Sequence, residues 1–107
     1  MKKIFFVIAL SLLANQAFAT DLEFTIAIKD HKFIPETLEV PAHKKFKLIV
    51  DNQDETAEEF ESHDLNKEKI IMGGKKATII ITPLEAGEYN FFGDFHAKTT
   101  IGKLIAK

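Results

Sequence analysis

The 107-residue chain has no cysteine and no tryptophan, and its cationic residues are all lysine. Each absence excludes something. Without cysteine there is no disulfide, no thiol catalysis, no thiolate zinc site and no lipid anchor at a cleavage site. Without tryptophan or a crosslink, the core must rest on Phe, Ile, Leu and Val, with ten phenylalanines in the whole chain. Glycines number only five, and the Gly73-Gly74 pair reads as a turn. No phosphate-cradling glycine loop, dinucleotide fingerprint or nucleophile elbow is present. The basic surface that nucleic acid or anionic lipid headgroups would require is missing too. The 14 basic residues, less Lys2 and Lys3, face 16 acids, leaving a charge near −4 on the remainder.

What is present begins with an export signal. Lys2 and Lys3 precede an apolar run from Ile4 to Ala14, and Ala17-Phe18-Ala19 fits the small-x-small cleavage rule. Residues 1–19 are expected to be a signal peptide and 20–107 one small domain, exported to a bacterial periplasm without insertion into the membrane. The apolar run is too short for a spanning helix.

The rest reads as strands. Leu22, Phe24, Ile26 and Ile28 alternate with polar or small residues, as do Phe46, Leu48 and Val50. Thr37–Val40, Thr56–Ser62, Glu68–Met72, Ala77–Ile81, Gly87–Phe92 and the segment from Ile101 onward complete about eight short strands. Asp30-His31-Lys32 is read as a turn, and Phe33-Ile34-Pro35 as a connection across an edge. Helix propensity at Ala57–Glu61 competes with strand, but a phenylalanine flanked by acids among strand neighbours favours strand. Ala77–Ile81 is β-branched and expected to be buried on both faces. The class is all-β, a sandwich.

Chemistry concentrates near the C-terminus. Asp94 and His96 stand two apart in a loop and share a side if the backbone stays extended. Glu59 and Glu61 share a strand face for the same reason. An imidazole with carboxylates can ligate a transition metal. His31, His43 and His63 fall in charged turns, where solvated side chains are the ordinary outcome; His63 follows Glu61 by two and is an auxiliary candidate. Glu58 and Glu68 read as surface acids, and Met72 as a strand-end residue.

The segment Gly87-x-Tyr89-x-Phe91, then His96, then Gly102-Lys103, resembles the last hairpin of cupredoxins, with Gly93 where those proteins carry a cysteine and Thr100 or Ile101 where they carry a methionine. Phe33-x-Pro35-x-x-Leu38-x-Val40 resembles their early strands. The pieces Ala57–Ser62, Leu65, Lys67–Lys69 and Phe91-Phe92-x-Asp94-Phe95-His96 further resemble the cupredoxin-like component of bacterial periplasmic iron-uptake systems, the group containing the EfeO N-terminal domain and FtrB. The resemblance implies a Greek-key cupredoxin-like β-sandwich in which Glu59 and His96 meet at one end. It also implies binding of copper and/or iron by Glu59, Glu61, Asp94, His96 and His63, and a place in ferrous-iron uptake beside a periplasmic iron-binding protein and an inner-membrane permease. Oxidation of Fe(II) before transport fits that role; a copper carrier or chaperone without redox turnover is the alternative, and a metal-free interaction module the third. Lacking a thiolate, the chain is not expected to be a blue-copper electron carrier.

Overall fold

A computed structural model describes residues 22–107; the expected signal peptide lies outside the described residues. Nine strands follow in order: β1 Glu23–Lys29, β2 Lys32–Ile34, β3 Thr37–Val40, β4 Phe46–Asn52, β5 Glu58–Ser62, β6 Lys67–Ile71, β7 Lys76–Ile81, β8 Gly87–Phe92 and β9 Ile101–Ala106. They form two sheets, ordered β2-β1-β4-β7 and β3-β9-β8-β5-β6. Two pairings are parallel, β1 with β4 and β3 with β9. A tight hairpin makes only antiparallel neighbours, so these two pairs require chain crossovers between the sheets, and the result is the expected Greek-key sandwich.

The period-two pattern explains the core. Ile26 and Ile28 of β1 and Phe46, Leu48 and Val50 of β4 point between the sheets and are buried. Phe60 of β5 and Phe91 of β8 face them from the other sheet. Phe33 stands edge-on to Phe91 at 4.8 Å between centroids, and Phe60 lies 4.9 Å from Phe91. The Phe33–Phe91 contact is edge-to-face and the Phe60–Phe91 contact tilted by 30°, and such ring contacts add to the area that aromatic rings remove from water. Replacing Phe60 by Ala is expected to cost about 3–5 kcal/mol, read from a urea unfolding curve.

Three expectations change. Lys32–Ile34 is a strand, not a bare connection, because it folds back on β1 in an antiparallel pair from Ala27↔Ile34 to Lys29↔Lys32. Among the described residues the strands number nine, in line with the expected eight or so. β7 is buried on one face only: the sandwich has two layers, so the other face of each sheet points outward, and Ile80 on that face of β7 is exposed. Between β8 and β9 the chain does not stay extended. It closes into a single 3-10 turn, Asp94–His96.

Candidate metal centre

The β1–β2 turn presents His31. Asp30 and His31 both have left-handed backbone, with φ of 53° and 59°. For residues with a Cβ this conformation is disfavoured by about 1–2 kcal/mol each, so something must hold it. Asp54 does: its Oδ1 accepts the Asp30 N–H at 2.7 Å and its Oδ2 the His31 N–H at 3.1 Å. The Thr100 hydroxyl donates to the His31 carbonyl at 2.6 Å.

Opposite His31, the first residue of β5 is Glu58. It lies two residues before Phe60 and shares its inward face, so the pleat carries a carboxylate to the end of the core. Glu58 is fully buried. Burying a carboxylate costs heavily unless it is paired, and two imidazoles pair it. His31 Nδ1 stands 2.6 Å from Glu58 Oε2, and His96 Nδ1 stands 3.3 Å from Oε1. The two rings are stacked, 3.6 Å between centroids and 20° apart in plane. Each remains roughly two-fifths exposed, 41% for His31 and 38% for His96, so the group opens to solvent on the imidazole side. The hydrogen bond to Glu58 raises the His31 pKa above its usual value; attraction to Glu58, Asp54 and Asp30 adds to this, and together they outweigh the opposite push of burial. At Asp54 burial pushes upward, but the contact with Glu58 and the His31 and Asp30 amides prevail, and its pKa is lowered.

A second group lies on the other face of β5. Glu59 and Glu61 point away from Phe60 and meet Asp94, with donor oxygens of all three within 4.8 Å of one another. Glu59 is buried, and one of its oxygens accepts the Asp94 N–H at 2.8 Å. His63 Nε2 lies 3.8 Å from Glu61 Oε2. Glu68 pairs with Glu61 across β5 and β6. The Glu61 pKa is raised, first by burial and then by repulsion from Glu59 and Glu68; His63 eases it.

The residues expected to form one site are thus divided. Glu59, Glu61 and Asp94 are together, with exposed His63 at their edge. His96 is not with them: it joins His31 and Glu58. The reason is local. In a strand, positions two apart share a side, but a 3-10 turn has three residues per revolution, so Asp94 and His96 diverge. Glu58 is not a surface acid and His31 is not a freely solvated turn histidine. The Glu58 signal was available, since the alternation that buries Phe60 buries Glu58 too. No local signal marks His31, whose partner is 27 residues away. Glu68 and Met72 are exposed, as expected of a surface acid and a strand end. His43 lies 4.0 Å from exposed Glu85, apart from both groups.

Both donor sets suit transition metals. Two imidazoles and a carboxylate fit Cu(II) among other divalent ions, whereas three carboxylates are hard donors that favour a highly charged ion such as Fe(III). A thiolate does not fit. A Cβ on Gly93 would stand 2.7 Å from the Glu59 carbonyl oxygen and 2.8 Å from Thr100 Cγ2, so main chain and Thr100 occupy the space a cysteine would need.

Comparison with known proteins agrees with this architecture. The family described as Cupredoxin-like domain matches residues 2–106. An uncharacterized protein of Rickettsia prowazekii (strain Madrid E) is 54% identical over 84 residues, covering 78% of this chain and 67% of the relative. Auracyanin A, a blue copper protein from Chloroflexus aurantiacus, superposes with a TM-score of 0.71 at 15% identity, over 82% of this chain and 100% of its own. A purple cupredoxin from Nitrosopumilus maritimus gives 0.61 at 18% identity, over 78% and 98%. A copper-binding protein solved in its apo form gives 0.68 at 19% identity, over 81% and 88%. At such identities the structural likeness speaks for the fold.

Proposed function

Because the chain belongs to the cupredoxin-like domain family, we propose that it is an exported metal-binding protein of a ferrous-iron uptake system, with copper and iron held by different donor sets. The observation that carries this reading is the fully buried Glu58 carboxylate between two stacked imidazoles. A core that tolerates a carboxylate there keeps it for a cation, since an apolar residue would serve packing better. His31, Glu58 and His96 would hold copper, and copper bound there supplies a one-electron acceptor.

Iron is the substrate on the other face. Glu59, Glu61 and Asp94 would bind it, with His63 as an auxiliary donor. Fe(III) gains more than Fe(II) from hard oxygen donors, so the carboxylates lower the potential of the couple and favour loss of one electron per iron. Dioxygen or a partner protein receives that electron. Burial first and then repulsion from Glu59 and Glu68 raise the Glu61 pKa, and a cation bound by the three carboxylates would offset that repulsion. In this reading the protein works in the periplasm beside an iron-binding protein and an inner-membrane permease. Among the described residues no helix is long and apolar enough to cross a membrane.

A second reading, a copper carrier without redox turnover, is favoured by one fact: the His31–Glu58–His96 group is complete without the carboxylates. Titration with Cu(II) and Fe(II), followed by oxygen uptake with Fe(II), separates the two. Oxygen uptake that depends on Glu59, Glu61 and Asp94 supports the uptake role. Tight copper binding with no iron oxidation supports the carrier. Failure to bind either metal sinks both.

The metal-free protein should also respond to pH. A raised His31 pKa means that the folded state holds its proton more tightly than the unfolded chain. The stabilisation is fully present below the ordinary histidine value near 6.5 and is lost as pH rises through the raised value. Thermal melts across that interval should show Tm falling with rising pH, and His31→Gln should flatten the trend. Copper shows the opposite dependence, because it must displace protons: its affinity should climb with pH and level off above the same point.

A further inference from the structure

His31 is gripped at three atoms by residues from other parts of the chain. Its N–H is taken by Asp54, its carbonyl by Thr100, and its Nδ1 by Glu58. Thr100 is fully buried and 69 residues distant. Asp54 accepts the successive amides of Asp30 and His31 on separate oxygens, which is how a left-handed pair of residues can be held against its own preference. Asp54 is itself fixed from below. Buried Asn52 accepts the Asp54 N–H at 2.9 Å, and its amide donates to the carbonyls of Thr56, Ile71 and Met72. The support therefore runs from the interior of the sandwich through Asn52 and Asp54 to one backbone turn.

We propose that Asp54 and Thr100 are positioning residues for the metal centre, holding the His31 turn so that the bound ion receives two imidazoles rather than one. This rests on the reading of His31, Glu58 and His96 as a copper site. His96 arrives on a 3-10 turn tied to β8 and β9, and Glu58 on a strand paired on both sides. His31 alone comes from a two-residue turn in a disfavoured conformation. It is the donor that needs outside support. Released from Asp54, the turn can relax to ordinary backbone and carry the ring off Glu58, leaving a carboxylate and one imidazole.

The test uses Cu(II) on the mature protein. Asp54→Ala should weaken Cu(II) by about 10–100-fold, as outer-shell changes commonly do. Electron paramagnetic resonance should show nitrogen couplings from one imidazole where the unsubstituted protein shows two. Asp54→Asn keeps one acceptor and should fall between. Thr100→Val conserves shape and provides a second variant if Asp54→Ala folds poorly; it should change in the same direction. The decisive arm is a double-mutant cycle. With His31→Ala already in place, Asp54→Ala should have no further effect on Cu(II) affinity. Equal losses in both backgrounds, or two imidazoles still bound in folded Asp54→Ala, would overturn the clamp while leaving the copper site intact. No Cu(II) binding by the unsubstituted protein would remove the site and the clamp together.

Discussion

Glu58→Gln should abolish useful copper binding while leaving a folded protein. The substitution preserves volume and removes one charge from a fully buried position. With copper present, the loss is that of a direct anionic donor. It should exceed the roughly 10–100-fold typical of changes one shell further out. Without metal the cost is smaller. The glutamine oxygen still accepts from one imidazole, and the other can present its lone pair to the amide by changing tautomer. A penalty of about 1–3 kcal/mol is expected from the imperfectly matched buried group. Equilibrium dialysis with Cu(II) beside a urea melt separates the two effects. Copper affinity within a few-fold of the unsubstituted protein would show that Glu58 is only a structural partner of its histidines.

Glu61→Gln should change stability and binding in opposite directions. In the metal-free protein Glu61 is held against burial and against the charges of Glu59 and Glu68, which is why its pKa is raised. An acid whose folded pKa is raised destabilises the fold once pH exceeds its unfolded value, because the unfolded chain ionises it more easily. Removing the charge should therefore raise Tm near neutral pH by a few degrees. The same change takes one hard donor from the carboxylate group. Affinity for Ga(III), a redox-inert stand-in for Fe(III), should drop at least about tenfold, since a donor counts for more than an outer-shell partner. Cu(II) affinity should hold, because Glu61 is not in the imidazole group. A lower Tm would mean that Glu61 stabilises the metal-free fold after all, and unchanged Ga(III) binding would remove the carboxylates from the iron reading.

Much of this molecule could be read from its residues. The alternation of Leu22–Ile28 and Phe46–Val50 specified strands with one buried face, and turn residues marked most boundaries. The carboxylate group was legible because Glu59 and Glu61 share a face under the simplest strand rule. The imidazole group was not. Its members come from the β1–β2 turn, the start of β5 and the 3-10 turn, and only tertiary structure brings them together. The family resemblance puts His96 with Glu59, and an extended loop would put it beside Asp94; a single tight turn sends it elsewhere. Glu58 reads as one acid among several, although its spacing from Phe60 already places it inward. The single-faced burial of β7 follows from there being only two layers, so nothing packs on its outer face, which its β-branched composition does not reveal.

The crowding around Gly93 limits which substitutions the loop before the 3-10 turn can accept. A codon change from glycine to cysteine is a small step in sequence, but here the newcomer would collide with the Glu59 carbonyl, an atom that no side-chain rotation can move aside. A cysteine at position 93 would therefore require a displacement of the backbone between neighbouring strands. Thiolate chemistry could enter this site only after the spacing between those strands had widened, so a single substitution cannot supply it.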